Sequence, residues 1–231
     1  MSLSDIDIED ILNAYAAGMF PMADDALDKD VYWVDPEIRG QLSIKELHIP
    51  RRLRATIKQF PFEVTHDQDF EQVIDLCGAY AADRPTTWIN QDIKDLFIKL
   101  HGIGLAHSVE CWETDKKTQK RTLVGGVYGL SLGGAFCAES KFHRATNASK
   151  IVLVHLCARL WKAGYSILDI QFINEHLKQF GAYEIPKDTY LTQLHSVLST
   201  QTDFHLENHT EQSLIREYLD FNRPKNVNST N

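Results

Sequence analysis

Apolar positions recur at helical spacing through the first hundred residues and then switch to alternation. Over residues 4–17, Ile8, Ile11, Leu12 and Tyr15 share one helical face, and Gly18 follows as a stop signal. Residues 67–81 repeat the pattern with Phe70, Val73, Ile74 and Cys77, and residues 91–100 with Ile93, Leu96, Phe97 and Leu100. The intervening stretch, 24–49, reads as short and irregular. Strand-like alternation then predicts strands over 105–112, 123–132 and 134–140. Asn147 is placed to cap a helix running to Trp161, apolar on nearly every face and therefore buried. Residues 166–172 (SILDIQF) read as a strand, 175–180 as a short helix, and 221–231 as a polar, fraying tail. The pattern as a whole is α+β: a small helical part to about residue 60, then a larger part with a mostly antiparallel sheet flanked by helices.

Composition narrows the function. The chain has 231 residues, 43% hydrophobic and 24% charged, with formal net charge −8. That is a globular balance, and it argues against coating nucleic acid through bulk charge while leaving room for a local basic patch. The 4 cysteines are scattered, with no C-x-x-C, so neither a disulfide framework nor a zinc ribbon is expected. No apolar run is long enough for a membrane span, and the acidic N-terminus is unlike a signal peptide, so a reducing cytoplasmic setting is expected. The 10 histidines form no H-E-x-x-H and no close ligand group, so no metal site is expected, and His107 and His155 read as hydrogen-bonded histidines. Cys137, in an apolar strand, reads as a buried thiol.

The candidate chemistry is polar residues in apolar surroundings. Asp169 and Gln171, two apart on a strand, face the same way between Leu168 and Ile170. They are either a solvated polar pair or a carboxylate and carboxamide that deprotonate and hold an amine. The run from Glu139 to Arg144 is either a charged loop entry or a functional strand end. Arg51, Arg52, Arg54 and Lys58 form the densest basic cluster, suited to phosphates or to a solvated helix face. Trp33 and Trp88 are stacking platforms or core.

In order along the chain stand Tyr15, Gly18, Phe20 and Pro21; Tyr32, Trp33 and Pro36; His48 with Arg51 to Arg54; Thr87 and Trp88; His101, Gly104, His107, Glu110 and Trp112; Gly125, Gly126, Tyr128 and Gly129; Glu139, Ser140 and Phe142; Asn147 to Lys150; Asp169 and Gln171; and His176 through Gly181. This ordered set resembles the bacterial leucyl/phenylalanyl-tRNA–protein transferase family from about residue 15 to 194. The resemblance implies a domain at 1–60 and a GNAT-like aminoacyltransferase domain at 61–231. It implies transfer of leucine, phenylalanine or methionine from aminoacyl-tRNA to proteins with N-terminal Arg or Lys, marking them for N-end-rule degradation. No metal, CoA or other cofactor is implied. By position, Asp169 matches the proton-accepting carboxylate, Gln171 the amine-holding carboxamide and Glu139 the acidic pocket residue. Arg51, Arg52, Arg54 and Lys58 would meet tRNA phosphates, with Trp33 and Trp88 near the terminal adenosine. Lys141 and Phe142 fall in the donor/acceptor pocket. Lys141 replaces the family's usual Met, and an extended strand would let it pair with Glu139. The alternatives are an acyl-CoA-dependent N-acetyltransferase, for which no Q/R-x-x-G-x-G/A loop is found, and a non-catalytic tRNA-binding module, which would not need Asp169 with Gln171.

Overall fold

A computed structural model describes residues 3, 6–80 and 85–223; of the tail expected at 221–231, Phe221 instead ends the last helix and Asn222 caps it, and 224–231 lie outside the described residues. Eight helices and nine strands are described. Helix α1 (Ile8–Ala16) starts at Asp7, whose side chain accepts from the Glu9 N–H. Strands β1 (Phe20–Met22), β2 (Tyr32–Val34) and β3 (Ile38–Leu42) follow, then α2 (Arg51–Ile57), β4 (Glu63–His66), α3 (Phe70–Gly78) and α4 (Gln91–Gly102). Asp69 and Asn90 cap α3 and α4 through side-chain oxygens. Next come β5 (Ala106–Thr114), β6 (Arg121–Leu132), β7 (Ala135–His143), α5 (Ala148–Lys162), β8 (Ile167–Gln171), α6 (Glu175–Lys178), β9 (Tyr183–Pro186), α7 (Lys187–Val197) and α8 (Glu211–Phe221). Asn147 does precede α5, but in a left-handed conformation with no side-chain cap bond.

Strands β1 and β2 form a small ribbon, and the other seven form one sheet in the order β4-β5-β6-β7-β8-β3-β9. Its pairings are antiparallel except β7–β8, which is parallel and bridged by α5 as crossover. The sheet is therefore mixed. Stretch 24–49 is less irregular than its sequence suggests, because β3 sits inside this sheet, antiparallel to both β8 and β9. The expected division near residue 60 does not follow the packing: β3 joins the sheet, and Leu42, Ile44, Leu47, Ile49, Leu53 and Ile57 enter the core beneath α5.

Two apolar layers cover the faces. One holds α5, apolar nearly all round as expected, with α2 and α8; the other joins α1, α3, α4 and the β1–β2 ribbon. No helix among the described residues is long and apolar enough to cross a membrane.

Two irregularities shape the centre. The β6–β7 register slips so that Tyr128 opposes Ser140 and Gly129 opposes Ala138, leaving Glu139 as the extra residue of a bulge. A Cβ on Gly129 would stand 2.3 Å from the Cys137 carbonyl, so only glycine lets the strands close there. The β3–β8 register also slips, between Gly40 and Gln41, and Gln171 takes φ +58°. The parallel ladder runs from Ala135–Ile167 to Cys137–Asp169. Past it, side chains rather than backbone join the strands.

Candidate active site

Where β7 and β8 part, the bulge presents Glu139 and the end of β8 presents Gln171. The Gln171 Nε2 donates to Glu139 Oε2 at 2.8 Å, and the Tyr15 hydroxyl of α1 donates to Glu139 Oε1 at 3.0 Å. Burial pushes the Glu139 carboxyl from 4.5 up to about 7, the two hydrogen bonds pulling it partly back and the nearby Asp169 charge adding to the rise. A carboxyl poised there exchanges a proton near neutral pH.

Asp169 is placed differently. It is fully buried, and Arg39 of β3 grips it from Nε at 3.0 Å to both oxygens and from Nη2 at 2.6 Å. The Tyr190 hydroxyl of α7 and the Gln171 backbone N–H each add a bond at 2.8 Å. Arg39 itself donates to the Gly18 carbonyl at 2.7 Å and is sandwiched 4.7 Å from the rings of Phe20 and Tyr190. Burial alone would pull the Arg39 pKa down, yet Asp169 holds it above its ordinary value. Every lone-pair direction of Asp169 is thus occupied by a donor. The Asp169 carboxylate, expected to take the amine's proton, is held between β3, β8 and α7, while the Glu139 carboxyl accepts two hydrogen bonds.

The polar pair expected at 169 and 171 is therefore buried, not solvated, and three of the expected residues meet. Trp33 stands beside them, edge-on to Tyr15 at 6.4 Å between ring centroids. Trp88 is half-buried against the same core layer, its carbonyl accepting from Ala23 N–H. Cys137 is a buried thiol, its pKa raised chiefly by burial.

Lys141 does not pair with Glu139. The bulge breaks the alternation that would put them on one face, and among the described residues Glu139 takes its bonds from Tyr15 and Gln171. Lys141 and Phe142 instead line a cleft of about 430 Å³ with Leu76, Tyr80, Ser149 and His176. Burial lowers the Lys141 pKa, and burial followed by Lys141 and Lys150 takes His176 down to about 4.

The basic cluster divides. Arg51, Arg52 and Lys58 are exposed on and just after α2, on the α5 side of the sheet. Arg54 is spent: it donates to the Leu219 carbonyl at 2.7 Å and to the Asn222 carbonyl and side chain at 2.6 and 2.8 Å, closing the end of α8. A groove of about 950 Å³ between Lys45–Arg51 and Asn222–Arg223 adjoins it.

Sequence reasoning missed Arg39 and Tyr190, and took Tyr15 only as core and motif. The available signal was Asp169 itself, since a carboxylate in an apolar strand demands a cation. Nothing in the sequence says which of 24 Lys and Arg supplies it.

A mixed α+β sheet opening on a buried carboxyl–carboxamide pair is the frame of a group-transferring enzyme that handles an amine. Its architecture is shared with a crystal structure of FemX, at TM-score 0.54 and 11% identity over 82% of this chain and 72% of that one. The family model described as leucyl/phenylalanyl-tRNA protein transferase matches residues 41–195, and that of its N-terminal domain matches residues 4–37. Leucyl/phenylalanyl-tRNA–protein transferases of Phenylobacterium zucineum (46% identical over 88% of this chain and 89% of theirs) and Hyphomonas neptunium (50% over 85% and 74%) are similar throughout. The chain belongs to the leucyl/phenylalanyl-tRNA–protein transferase family, and it is an aminoacyltransferase.

Proposed function

We propose that this GNAT-like enzyme moves leucine, phenylalanine or methionine from aminoacyl-tRNA to the α-amine of proteins beginning with Arg or Lys, in the cytoplasm, marking them for N-end-rule degradation. The observation that carries the reading is the Glu139–Gln171 pair, buried and held at the end of β8 by the Arg39–Asp169 clamp.

The donor ester is already activated, so the protein's work is to position it and to take one proton. With its Nε2 given to Glu139, Gln171 keeps Oε1 to accept an N–H from the incoming α-amine, which reacts as the free base. Glu139 takes the proton as the nitrogen attacks the ester carbonyl. The C–O bond to the terminal ribose then breaks, and Glu139 returns the proton to the ribose oxygen, leaving an amide and free tRNA. Asp169 fixes the backbone of Gln171 and so its side chain. An ionised Glu139 also favours a cationic acceptor, the Asp169 charge being matched by Arg39.

Arg51, Arg52 and Lys58 supply phosphate contacts in this reading. Two of them stand in the first turn of α2, against the helix dipole, where they lower helix stability by a few tenths of a kcal/mol each; a role outside folding explains their presence. Trp33 and Trp88 stack near the terminal adenosine, and the Lys141–Phe142 cleft holds a reacting side chain. The test is transfer of labelled leucine from Leu-tRNA to peptides with N-terminal Lys or Arg, with acetyl-CoA and RNase-treated donor as controls. Transfer that requires intact tRNA supports the reading. Acetylation by acetyl-CoA, or tRNA binding without transfer, overturns it.

A further inference from the structure

Five of the ten histidines gather two strands away from the transfer site, around the junction of β4 and β5. They are His66, His101, His107, His155 and His205, and the spacing that hid them in the sequence is long: 40 residues separate Asp67 from His107. Asp67 follows β4 at φ +51°, which turns its carboxylate back over β5. Its Oδ1 accepts from the Ser108 backbone N–H at 2.7 Å, leaving Oδ2 free to face two rings. His107 Nδ1 stands 2.8 Å from Oδ2, and His205 Nδ1 stands 3.8 Å from the same atom. One ligand atom from each of the three lies within 4.8 Å of the other two.

The arrangement is braced. Phe204 stacks on the His107 ring at 4.2 Å and 11°, and it also stacks on Phe136 at 5.6 Å. Buried Arg159 donates to the carbonyls of Phe204 and His205 at 2.6 and 2.9 Å, which fixes the loop that brings His205 in. His101 is within 3.9 Å of Asp67 Oδ1 but is committed to the Ala106 carbonyl at 2.9 Å. The His107–Asp67 contact alone would satisfy both groups as a hydrogen bond. His205 packs its ring against His66 and His107 at 5.9 and 5.4 Å between centroids, but at 3.8 Å its Nδ1 is too far from Asp67 Oδ2 for a hydrogen bond. An atom about 2.0–2.2 Å from each ligand closes the triangle with a small turn of the exposed His205 ring.

We propose that Asp67, His107 and His205 form a binding site for one divalent transition-metal ion of the zinc type. Two imidazoles and one carboxylate suit Zn²⁺, Co²⁺ or Ni²⁺ rather than Mg²⁺ or Ca²⁺, which take oxygen ligands. The fourth position opens toward the cavity lined by Gly104, Ser131, Tyr165 and Thr202. The ion would tie the loop at 202–205 to β4 and β5, and it plays no part in the transfer chemistry.

The full-length chain without an affinity tag, stripped by chelation, is titrated with Zn²⁺ by calorimetry, and Co²⁺ loading is read from its d–d absorption. The expected result is one Zn²⁺ per chain, a tetrahedral Co²⁺ spectrum and a raised Tm. His205→Ala, at an exposed position, should weaken Zn²⁺ binding at least about tenfold, and Asp67→Asn likewise, while His209→Ala binds as wild type. Absence of saturable Zn²⁺ uptake, or affinity unchanged in His205→Ala, would overturn the site.

Discussion

Replacing Glu139 by Gln separates its chemical role from its structural one. The substitution keeps the shape and leaves an oxygen to accept from Gln171 Nε2, while the new NH₂ can donate to the Tyr15 oxygen. It removes the titration. A carboxyl raised from 4.5 to about 7 in the folded state corresponds to about 3 kcal/mol. The sign follows from linkage: the folded state binds the proton more tightly, so this stability is fully present below about pH 4.5 and is lost as pH rises through about 7. The Gln variant never suffers that loss. Urea unfolding should find it equal to wild type at about pH 4 and more stable by up to about 3 kcal/mol at pH 8. Transfer should fall by about 10²–10⁴-fold, the usual contribution of a positioned base. The profile should also change shape. Wild-type turnover should show a limb near 7 from Glu139 and one near about 7.7–8 from the acceptor α-amine, and only the second should survive in the variant. A Gln variant that keeps the limb near 7, or that is less stable than wild type at pH 8, would refute the assignment.

Other perturbations read other parts of the protein. Arg39→Met strands the Asp169 carboxylate in the core and should cost about 3–5 kcal/mol in denaturant unfolding; adding Asp169→Leu should recover much of that stability and none of the transfer, whereas recovered transfer would exclude the clamp. Arg51→Ala and Arg52→Ala should each lower the log–log salt slope of tRNA binding by about 0.7–0.9 without lowering Tm, since both stand against the α2 dipole. Arg54→Ala should do the reverse, sparing the slope and lowering stability by about 1–3 kcal/mol, because its bonds go to the end of α8. Lys141→Met should raise leucine and phenylalanine transfer relative to other donors, on the order of tenfold for about 1.4 kcal/mol, measured as competing kcat/KM values; an unchanged donor profile would place Lys141 outside the donor pocket.

What the sequence made legible was periodicity and order. Helices α1, α3, α4 and α5 and strands β5 to β8 follow from apolar spacing, because each buries one face, or in α5 nearly all faces, in its own local stretch. Strand β3 misleads instead. Ile38-Arg39-Gly40-Gln41-Leu42 does alternate, but over only 5 residues, and its polar Arg39 and Gln41 are buried while Ile38 is exposed, because β3 is flanked on both sides by strands. The site was half legible. Asp169 and Gln171 stood out as polar residues in an apolar strand, but a one-residue bulge decided where Glu139 and Lys141 point, and bulges shift alternation without changing composition. The proposed division of labour between Asp169 and Glu139 rests on Arg39 and Tyr190, contacts that span 130 and 21 residues. Arg54 shows the opposite limit: its sequence context is that of Arg51 and Arg52, and only packing against α8 sets it apart.

The position of β3 sets the timetable of a newly made chain. Arg39 leaves the ribosome long before the carboxylate it must meet, 130 residues later, and it sits in a strand that pairs with β8 and β9 alone. Until both have emerged, β3 has neither neighbour, and Arg39 has no counter-charge to justify burial. The central pairing is a closure of high contact order, slow relative to the local hairpin of β6 and β7. Active enzyme should therefore be detectable only after synthesis has passed residue 190, where Tyr190 completes the clamp. Chains arrested before β8 should expose the β7 edge as a template for wrong pairing and depend on chaperones during that interval.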